Sequence, residues 1–255
     1  MTPFDYGDKV LMLDSKQRRY LLTLKEGAEF HTHSGFVPHA DIVGKPEGVQ
    51  VATTRGGKYR VLRPSLEDFV LQMPRGAQVI YPKDLAPICM LADIGPGIRV
   101  FETGLGSGAL SMTMLRYGAH ILGYEIREDF LNRARTNVRE FLGPEPLERY
   151  DTHLRDAYEG IDATDLDRVV LDLPEPWQVV PHAEGALREG GILLAYTPSI
   201  TQAVRVREAL SDSKWIETRT LEVLHRGWHI EGLSVRPDHR MVAHTAFLTV
   251  GRYLG

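Results

Sequence analysis

Apolar and polar positions change their rhythm along this chain of 255 residues. Up to about residue 64 they alternate in short runs: Lys9-Val-Leu-Met-Leu-Asp14, Arg19-Tyr-Leu-Leu-Thr-Leu-Lys25, Val49-Gln-Val-Ala52 and Tyr59-Arg-Val-Leu62. Turn signals at Glu26-Gly27 and Lys45-Pro-Glu-Gly48 separate them. Such runs are the pattern of strands, and no helical period intervenes. Residues 1–64 therefore read as a small β domain closed by Arg63-Pro64. From Ser65 the period turns helical, with Ser65 as N-cap and Glu67 and Asp68 in the first turn. Gln78-Val-Ile-Tyr-Pro-Lys-Asp84 reads as an irregular stretch and Pro87–Ala92 as a helix.

Beyond it, helices are expected at 109–117, 127–141, 180–187 and 200–210. They alternate with strands around Val100 and Phe101 and at 120–125, 151–154, 168–173, 191–197 and 215–223. A long polar loop precedes a last strand at 245–250. Strands alternating with helices over short connections make a doubly wound, mostly parallel sheet. The expected architecture is thus α/β, with residues 65–255 as one Rossmann-like domain behind the β domain of residues 1–64.

Composition narrows the class. Hydrophobic residues make up 43% and charged residues 25%, as in ordinary globular proteins. No apolar run approaches a membrane span and no charged-then-apolar leader opens the sequence. The single cysteine, Cys89, excludes an intrachain disulfide and suits a reducing compartment. Together these point to a cytoplasmic protein with no membrane partner. The net charge of −4 does not advertise a nucleic-acid binder, although phosphate binding needs only local basic surface. Arg226, Arg236 and Arg240 lie in a long Gly/Pro-containing loop with Trp228 and His229, a composition suited to RNA backbone and splayed bases. Met241 and His244 in the same region read as packing residues. His31, His33 and His39 lack a convincing fourth ligand, so no metal is expected.

Candidate chemistry concentrates in Arg99-Val-Phe-Glu-Thr-Gly-Leu-Gly-Ser-Gly108. This is a buried strand, an acidic tip and three alternating glycines ahead of a helix. Glycines let the backbone turn sharply and a ligand lie against it, and the helix start adds free N–H groups. The spacing is not that of a dinucleotide fingerprint, and Glu102 would repel a pyrophosphate. A cationic ligand such as S-adenosylmethionine fits it better. Glu125 closes the next strand, where a carboxylate can grip ribose hydroxyls. Glu102, Glu125, Asp156 and Asp172 all fall at carboxyl ends of strands, the rim where ligands bind such sheets. Asp172-Leu-Pro-Glu-Pro-Trp177 adds a proline-stiffened loop reminiscent of the Asp-Pro-Pro-aromatic loops of enzymes that methylate base nitrogens.

Taken together, Gln78–Asp84, Glu102-Thr-Gly-Leu-Gly-Ser-Gly-Ala109, Asp172–Trp177, Gly227-Trp-His-Ile-Glu-Gly232 and Arg236–Leu248 resemble the tRNA adenine-58 N1-methyltransferase family of bacteria and archaea. The resemblance implies a class I (Rossmann-like) S-adenosylmethionine-dependent methyltransferase with a small N-terminal β domain. Its activity would be methyl transfer to N1 of adenine 58 in the tRNA T loop, giving 1-methyladenosine and S-adenosylhomocysteine. It also implies a homotetramer, a dimer of dimers. Cofactor contacts would come from Gln78, Glu102, Gly104, Leu105, Gly106, Ser107, Gly108, Glu125, Asp156 and Asp172. Asp172, with Tyr196 and Tyr81 shaping the pocket, would hold the flipped target base. Thr103 and Leu105 stand where smaller residues are commoner, which would narrow the cofactor cleft. A protein isoaspartyl methyltransferase, an NAD-dependent dehydrogenase and a catalytically silent RNA-binding module remain as rival readings.

Overall fold

A computed structural model describes residues 2–76 and 78–255. The chain divides into two compact units, Met1–Met73 and Pro74–Gly255. In the first, β1 (Lys9–Asp14), β2 (Arg19–Thr23), β3 (Glu29–Thr32), β4 (Gly35–Pro38), β5 (Gln50–Ala52) and β6 (Lys58–Leu62) precede α1 (Leu66–Gln72). Antiparallel pairing orders four of the strands β2-β1-β6-β5, while β3 and β4 form a separate hairpin. Inward positions of the alternating runs, among them Val10, Met12, Tyr59 and Val61, make the core with Phe4, Leu24 and Ile42.

The expected boundary after residue 64 falls in front of α1, which the packing assigns to the first unit. Ser65 and Asp68 close a reciprocal capping box at its start. Asp68 then pairs with Arg19 of β2, and Gln72 accepts the backbone N–H of Leu21. The first unit is therefore not all β.

The second unit contains α2 (Pro82–Leu91), β7 (Arg99–Thr103), α3 (Ala109–Arg116), β8 (His120–Glu125), α4 (Glu128–Leu142), β9 (Tyr150–Leu154) and β10 (Leu166–Leu171). It continues through α5 (Val180–Ala186), β11 (Leu187–Thr197), α6 (Ile200–Ala209), β12 (Trp215–Glu222), β13 (Trp228–Glu231), β14 (Ser234–Pro237) and β15 (Phe247–Tyr253). The main sheet is ordered β12-β15-β11-β10-β7-β8-β9. Pairs from β11 to β9 are parallel, and β15 runs antiparallel to both β11 and β12. Strand order reverses between β7 and β10, the topological switch point. The central strands are continuous apolar runs because both faces are covered; Phe101, Val169, Val170, Leu171, Leu193 and Leu194 are fully buried.

Two segments depart from expectation. The stretch from Gln78 to Asp84 is half helical, because Pro82 occupies the first turn of α2, where a missing N–H costs nothing. The long loop before the last strand carries the hairpin β13–β14, turning at Gly232 with φ +56°.

Leu193→Ala should test the sheet's contribution. Burial on a central strand predicts a loss of about 2–5 kcal/mol, read as a lower urea midpoint at unchanged slope.

Candidate active site

At the switch point β7 ends on Thr103, whose carbonyl accepts the N–H of Asp172 at 3.1 Å. Gly104 follows at φ +81°, and its N–H donates to the Tyr124 carbonyl at 3.2 Å. A Cβ at Gly104 would overlap the carbonyl oxygen of Asp172, so only glycine lets these strand ends close. The turn continues with the Gly106 N–H donating to Glu125 Oε2 at 3.1 Å, while Glu125 Oε1 accepts from Arg127 N at 3.0 Å. Asn137 Nδ2 of α4 donates to the Ser107 carbonyl at 2.9 Å. Gly108, at φ +79°, is the N-cap of α3, with Ala134 atoms 3.1–3.2 Å from where its Cβ would lie. The loop is thus pinned from both sides, and the free N–H groups of α3 open beside it.

Three carboxyls cluster around this turn. Glu102 is 2 % exposed and accepts from Ser111 Oγ at 2.7 Å, and Ser111 in turn accepts from the Tyr150 hydroxyl at 2.9 Å. Burial pushes Glu102 up to about 8 against the pull of the Ser111 bond, and the charges of Asp172 and Glu125 add to it. Burial also lifts Asp172 to about 7, with Glu125 again contributing. With Glu102 and Asp172 both raised, the corner favours a cationic occupant, because a nearby positive charge stabilises their ionised forms.

Asp156 stands farther out, just past β9, capping the short 3-10 turn Ala157–Glu159 through Tyr158 N at 2.9 Å. Tyr196, near the end of β11, is almost buried, and burial, with the charges of Asp84 and Asp172 adding to it, raises the pKa of its hydroxyl. Tyr81 is half-buried as the N-cap of α2, and Gln78 is exposed on the segment leading into it. Leu105 is buried against Gly123, where a Cβ would stand 3.0 Å from its Cδ2. Its side chain fills the space left by that glycine. Arg205 lies over the Trp177 ring at 4.9 Å, and the Pro174 carbonyl accepts from Gln202, so α6 anchors the proline loop.

The residues fit S-adenosylmethionine on two observations. The loop is bare at Gly104, and among the described residues the buried Ser107 Oγ has no hydrogen-bond partner, leaving a polar atom for a ligand to satisfy. Among those residues, no group of three or more His, Cys, Asp or Glu side chains is placed to hold a metal ion. His39 instead buries its ring and accepts the Lys25 N–H at 3.0 Å. Among the described residues, no helix is long and apolar enough to cross a membrane.

The sequence reading missed a buried group beside Tyr196. Lys83 Nζ donates to Asp84 Oδ1 at 2.8 Å, to the Val223 carbonyl at 2.8 Å and to Thr245 Oγ1 at 2.6 Å. Lys83 and Asp84 belong to a motif already singled out, but nothing local signals a partner 162 residues away. His244 does more than pack on Phe247. Its Nδ1 faces Glu222 at 2.6 Å and its Nε2 faces the Pro198 carbonyl at 2.8 Å, and both bonds raise its pKa. A ring facing acceptors through both nitrogens satisfies them only as imidazolium.

Residues 57–240 match the family described as "tRNA methyltransferase complex GCD14 subunit", and residues 3–51 match "TrmI-like N-terminal". The chain is 37% identical over 95% of its length to tRNA (adenine(58)-N(1))-methyltransferase TrmI of Thermus thermophilus, covering 96% of that protein. It is 32% identical to the Methanocaldococcus jannaschii enzyme named for adenines 57 and 58, over 95% of this chain and 94% of that one. Among solved structures, a Thermotoga maritima protein described as a SAM-dependent O-methyltransferase superposes with a TM-score of 0.94 at 31% identity, covering 100% of this chain and 96% of that one. TrmI from Aquifex aeolicus superposes with a TM-score of 0.85 at 27% identity, over 99% of each chain.

Replacement of Gly104 by Ala should abolish S-adenosylmethionine binding in calorimetry, since the new methyl group meets backbone, not a movable side chain. A variant that binds with native affinity would show that the loop does not hold the ligand.

Proposed function

Because the chain belongs to the tRNA (adenine-58-N1)-methyltransferase family, we propose that it transfers the methyl group of S-adenosylmethionine to N1 of adenine 58 of tRNA. The observation that carries the reading is Asp172, a carboxyl fixed at the switch point between the bare glycine loop and Tyr196. When bound, S-adenosylmethionine supplies an electrophilic methyl on a sulfonium whose bonding pair returns to sulfur as the methyl leaves.

The chain's residues orient the partners. Gly104, Gly106, Ser107 and Gly108 would line the cofactor, with Glu102 on the methionine portion, Glu125 on the ribose hydroxyls and Asp156 on the adenine amino group; Leu105 and Gln78 would complete the contacts. Adenine N1 already carries a lone pair, so catalysis rests mainly on alignment. Asp172 accepts from the exocyclic N6–H, stabilising the charge that develops on the alkylated ring, and takes up the proton that alkylation acidifies. Tyr196 and Tyr81 shape the pocket for the base, which must leave its stack to enter.

A homotetramer in the cytoplasm completes the proposal. Its support is the β13–β14 hairpin, where Trp228 pairs with Pro237 and Ile230 with Val235, putting an exposed apolar face on one side. A second copy would cover it.

The test is transfer of labelled methyl to unmodified tRNA transcript, alongside a transcript with adenine 58 replaced. Label at N1 of that adenine, lost on replacement, establishes the reading. Label on an oxygen would instead favour the chemistry ascribed to the Thermotoga protein, and no label in tRNA would overturn the assignment.

A pH dependence follows from Asp172. Its carboxyl is raised to about 7, so the ionised form grows as pH rises through that value. The kcat/KM for S-adenosylmethionine, which reports the free enzyme, should climb through about pH 7. Asp172→Asn should lower turnover by roughly 10–100-fold, the range for one charge-assisted hydrogen bond to the developing cation, and remove that limb of the profile.

A further inference from the structure

Glu222 ends β12 opposite Phe247, the first residue of β15, so the two strands release the chain side by side. Between them runs the arm that carries the β13–β14 hairpin. Both roots of that arm meet on one side chain. Lys83 Nζ, in the first turn of α2, donates to the Val223 carbonyl at 2.8 Å and to Thr245 Oγ1 at 2.6 Å, and its third proton goes to Asp84 Oδ1 at 2.8 Å. Thr245 completes the ring by donating to Asp84 Oδ2 at 2.6 Å. The Lys83 and Asp84 side chains are 6% and 0% exposed. Freeing either root would leave a buried charge short of a hydrogen bond, which is costly, so the roots stay together. Farther out, the Asp238 N–H donates to the Gly227 carbonyl at 3.0 Å and closes the neck of the hairpin.

The hairpin has two unlike faces. Paired residues share a face, so Trp228, Pro237, Ile230 and Val235 lie on one side, and His229, Arg236, Glu231 and Ser234 on the other. Arg226 and Arg240 flank its two ends. All three arginines are exposed. Arg127, Arg155 and Arg188 elsewhere pair with aspartates, but among the described residues Arg226, Arg236 and Arg240 pair with no carboxylate. Their guanidinium groups are left for phosphate oxygens, which they can grip through two parallel N–H bonds.

We infer that Lys83, Asp84 and Thr245 are positioning residues that hold this arm as a preformed handle for the RNA backbone, with Arg226, Arg236 and Arg240 as its phosphate contacts. The inference rests on the proposed tRNA methylation for its partner, whereas the holding of the arm is a property of the protein alone. An arm already ordered loses less freedom on binding. The clamp therefore acts on the capture of tRNA and not on the methyl-transfer step.

The decisive variant is Lys83→Met combined with Asp84→Asn, which releases both roots without stranding a buried charge. The KM for tRNA should rise roughly tenfold, the cost of ordering a loosened arm on binding. At saturating tRNA, kcat should stay near the wild-type value, as should the dissociation constant for S-adenosylmethionine. With Arg226→Gln, Arg236→Gln and Arg240→Gln already in place, releasing the clamp should add nothing to KM. Thr245→Val, which opens one root, should give a smaller rise, and Thr245→Ser should restore the wild-type value. Independently of RNA, trypsin should cut after Arg226 and Arg240 roughly tenfold faster in the released variant, since cleavage follows the population of the opened arm.

Cleavage at the wild-type rate in a folded, cofactor-binding variant would overturn the inference. A fall in kcat at unchanged KM would do the same by placing the effect in the base pocket, as would a further rise in KM once the arginines are gone. A changed molecular mass in light scattering with KM unmoved would make the arm an assembly element and also overturn it. Should the double variant not fold, Thr245→Val is read by the same measurements. A wild-type enzyme that leaves tRNA unmethylated counts against the proposed function only. Trypsin still decides the clamp in that case, and the anisotropy of labelled tRNA with wild type and variant decides the RNA contact.

Discussion

The second unit is built around one close approach, that of Gly104 to Asp172. Parallel strands β7 and β10 must lie side by side for the sheet to continue across its switch point, yet both chains must leave it there in opposite directions. The Asp172 N–H reaches back to Thr103 and the Asp172 carbonyl occupies the space of the missing Gly104 side chain. Shape and chemistry therefore share a cause. The absent side chain lets the strand ends close, and the same closure exposes backbone for a ligand and sets the Asp172 carboxyl beside it. Glu125 then clasps the loop through Gly106 N and its own helix start through Arg127 N.

The electrostatics of the corner follow from that geometry. Burial in this corner, and after it the charge of neighbouring carboxylates, lifts Glu102 and Asp172. Ser111 and Tyr150 soften the penalty for Glu102 but do not cancel it. On the proposed function, the sulfonium and ammonium of S-adenosylmethionine are the missing counter-charges. Ligand binding and carboxyl ionisation then favour each other, and Asp172 is most fully a base when the methyl donor is present. A phosphate-bearing cofactor would have the opposite effect, so the acids exclude the commoner ligands of this sheet type as well as welcoming this one.

The sheet was legible because central strands and amphipathic helices have different periods, and the carboxyl ends of strands could be counted off. The glycine turn was legible because its side chains are absent in a fixed spacing. Boundaries were harder. Arg63-Pro64 looks like a closure, but the capping box from Ser65 opens a helix whose Asp68 turns back to Arg19, a partner 49 residues away. The hairpin β13–β14 escaped notice because Trp228, Ile230 and Val235 are exposed, and sequence alternation is read on the assumption that apolar residues face a core. The Lys83–Thr245 contact escaped for the same underlying reason: sheet order, not sequence order, brings the start of α2 to the ends of β12 and β15.

That last contact bears on how an acidic chain could handle a polyanion. The excursion between β12 and β15 leaves the sheet after Glu222 and returns at Phe247, and the Lys83 ammonium holds both roots through Val223 and Thr245. His244 adds a second clasp through Glu222 and Pro198. An exposed arm held so firmly at its base can carry Arg226, Arg236 and Arg240 well away from the protein's negative charge while staying in register with the pocket. With its apolar face covered by another copy, as in the proposed tetramer, arginines from more than one chain would border the same groove. Local basic surface would then come from assembly, and a net charge of −4 per chain would be no obstacle to gripping tRNA, since phosphate binding depends on the cations within about one Debye length of the contact.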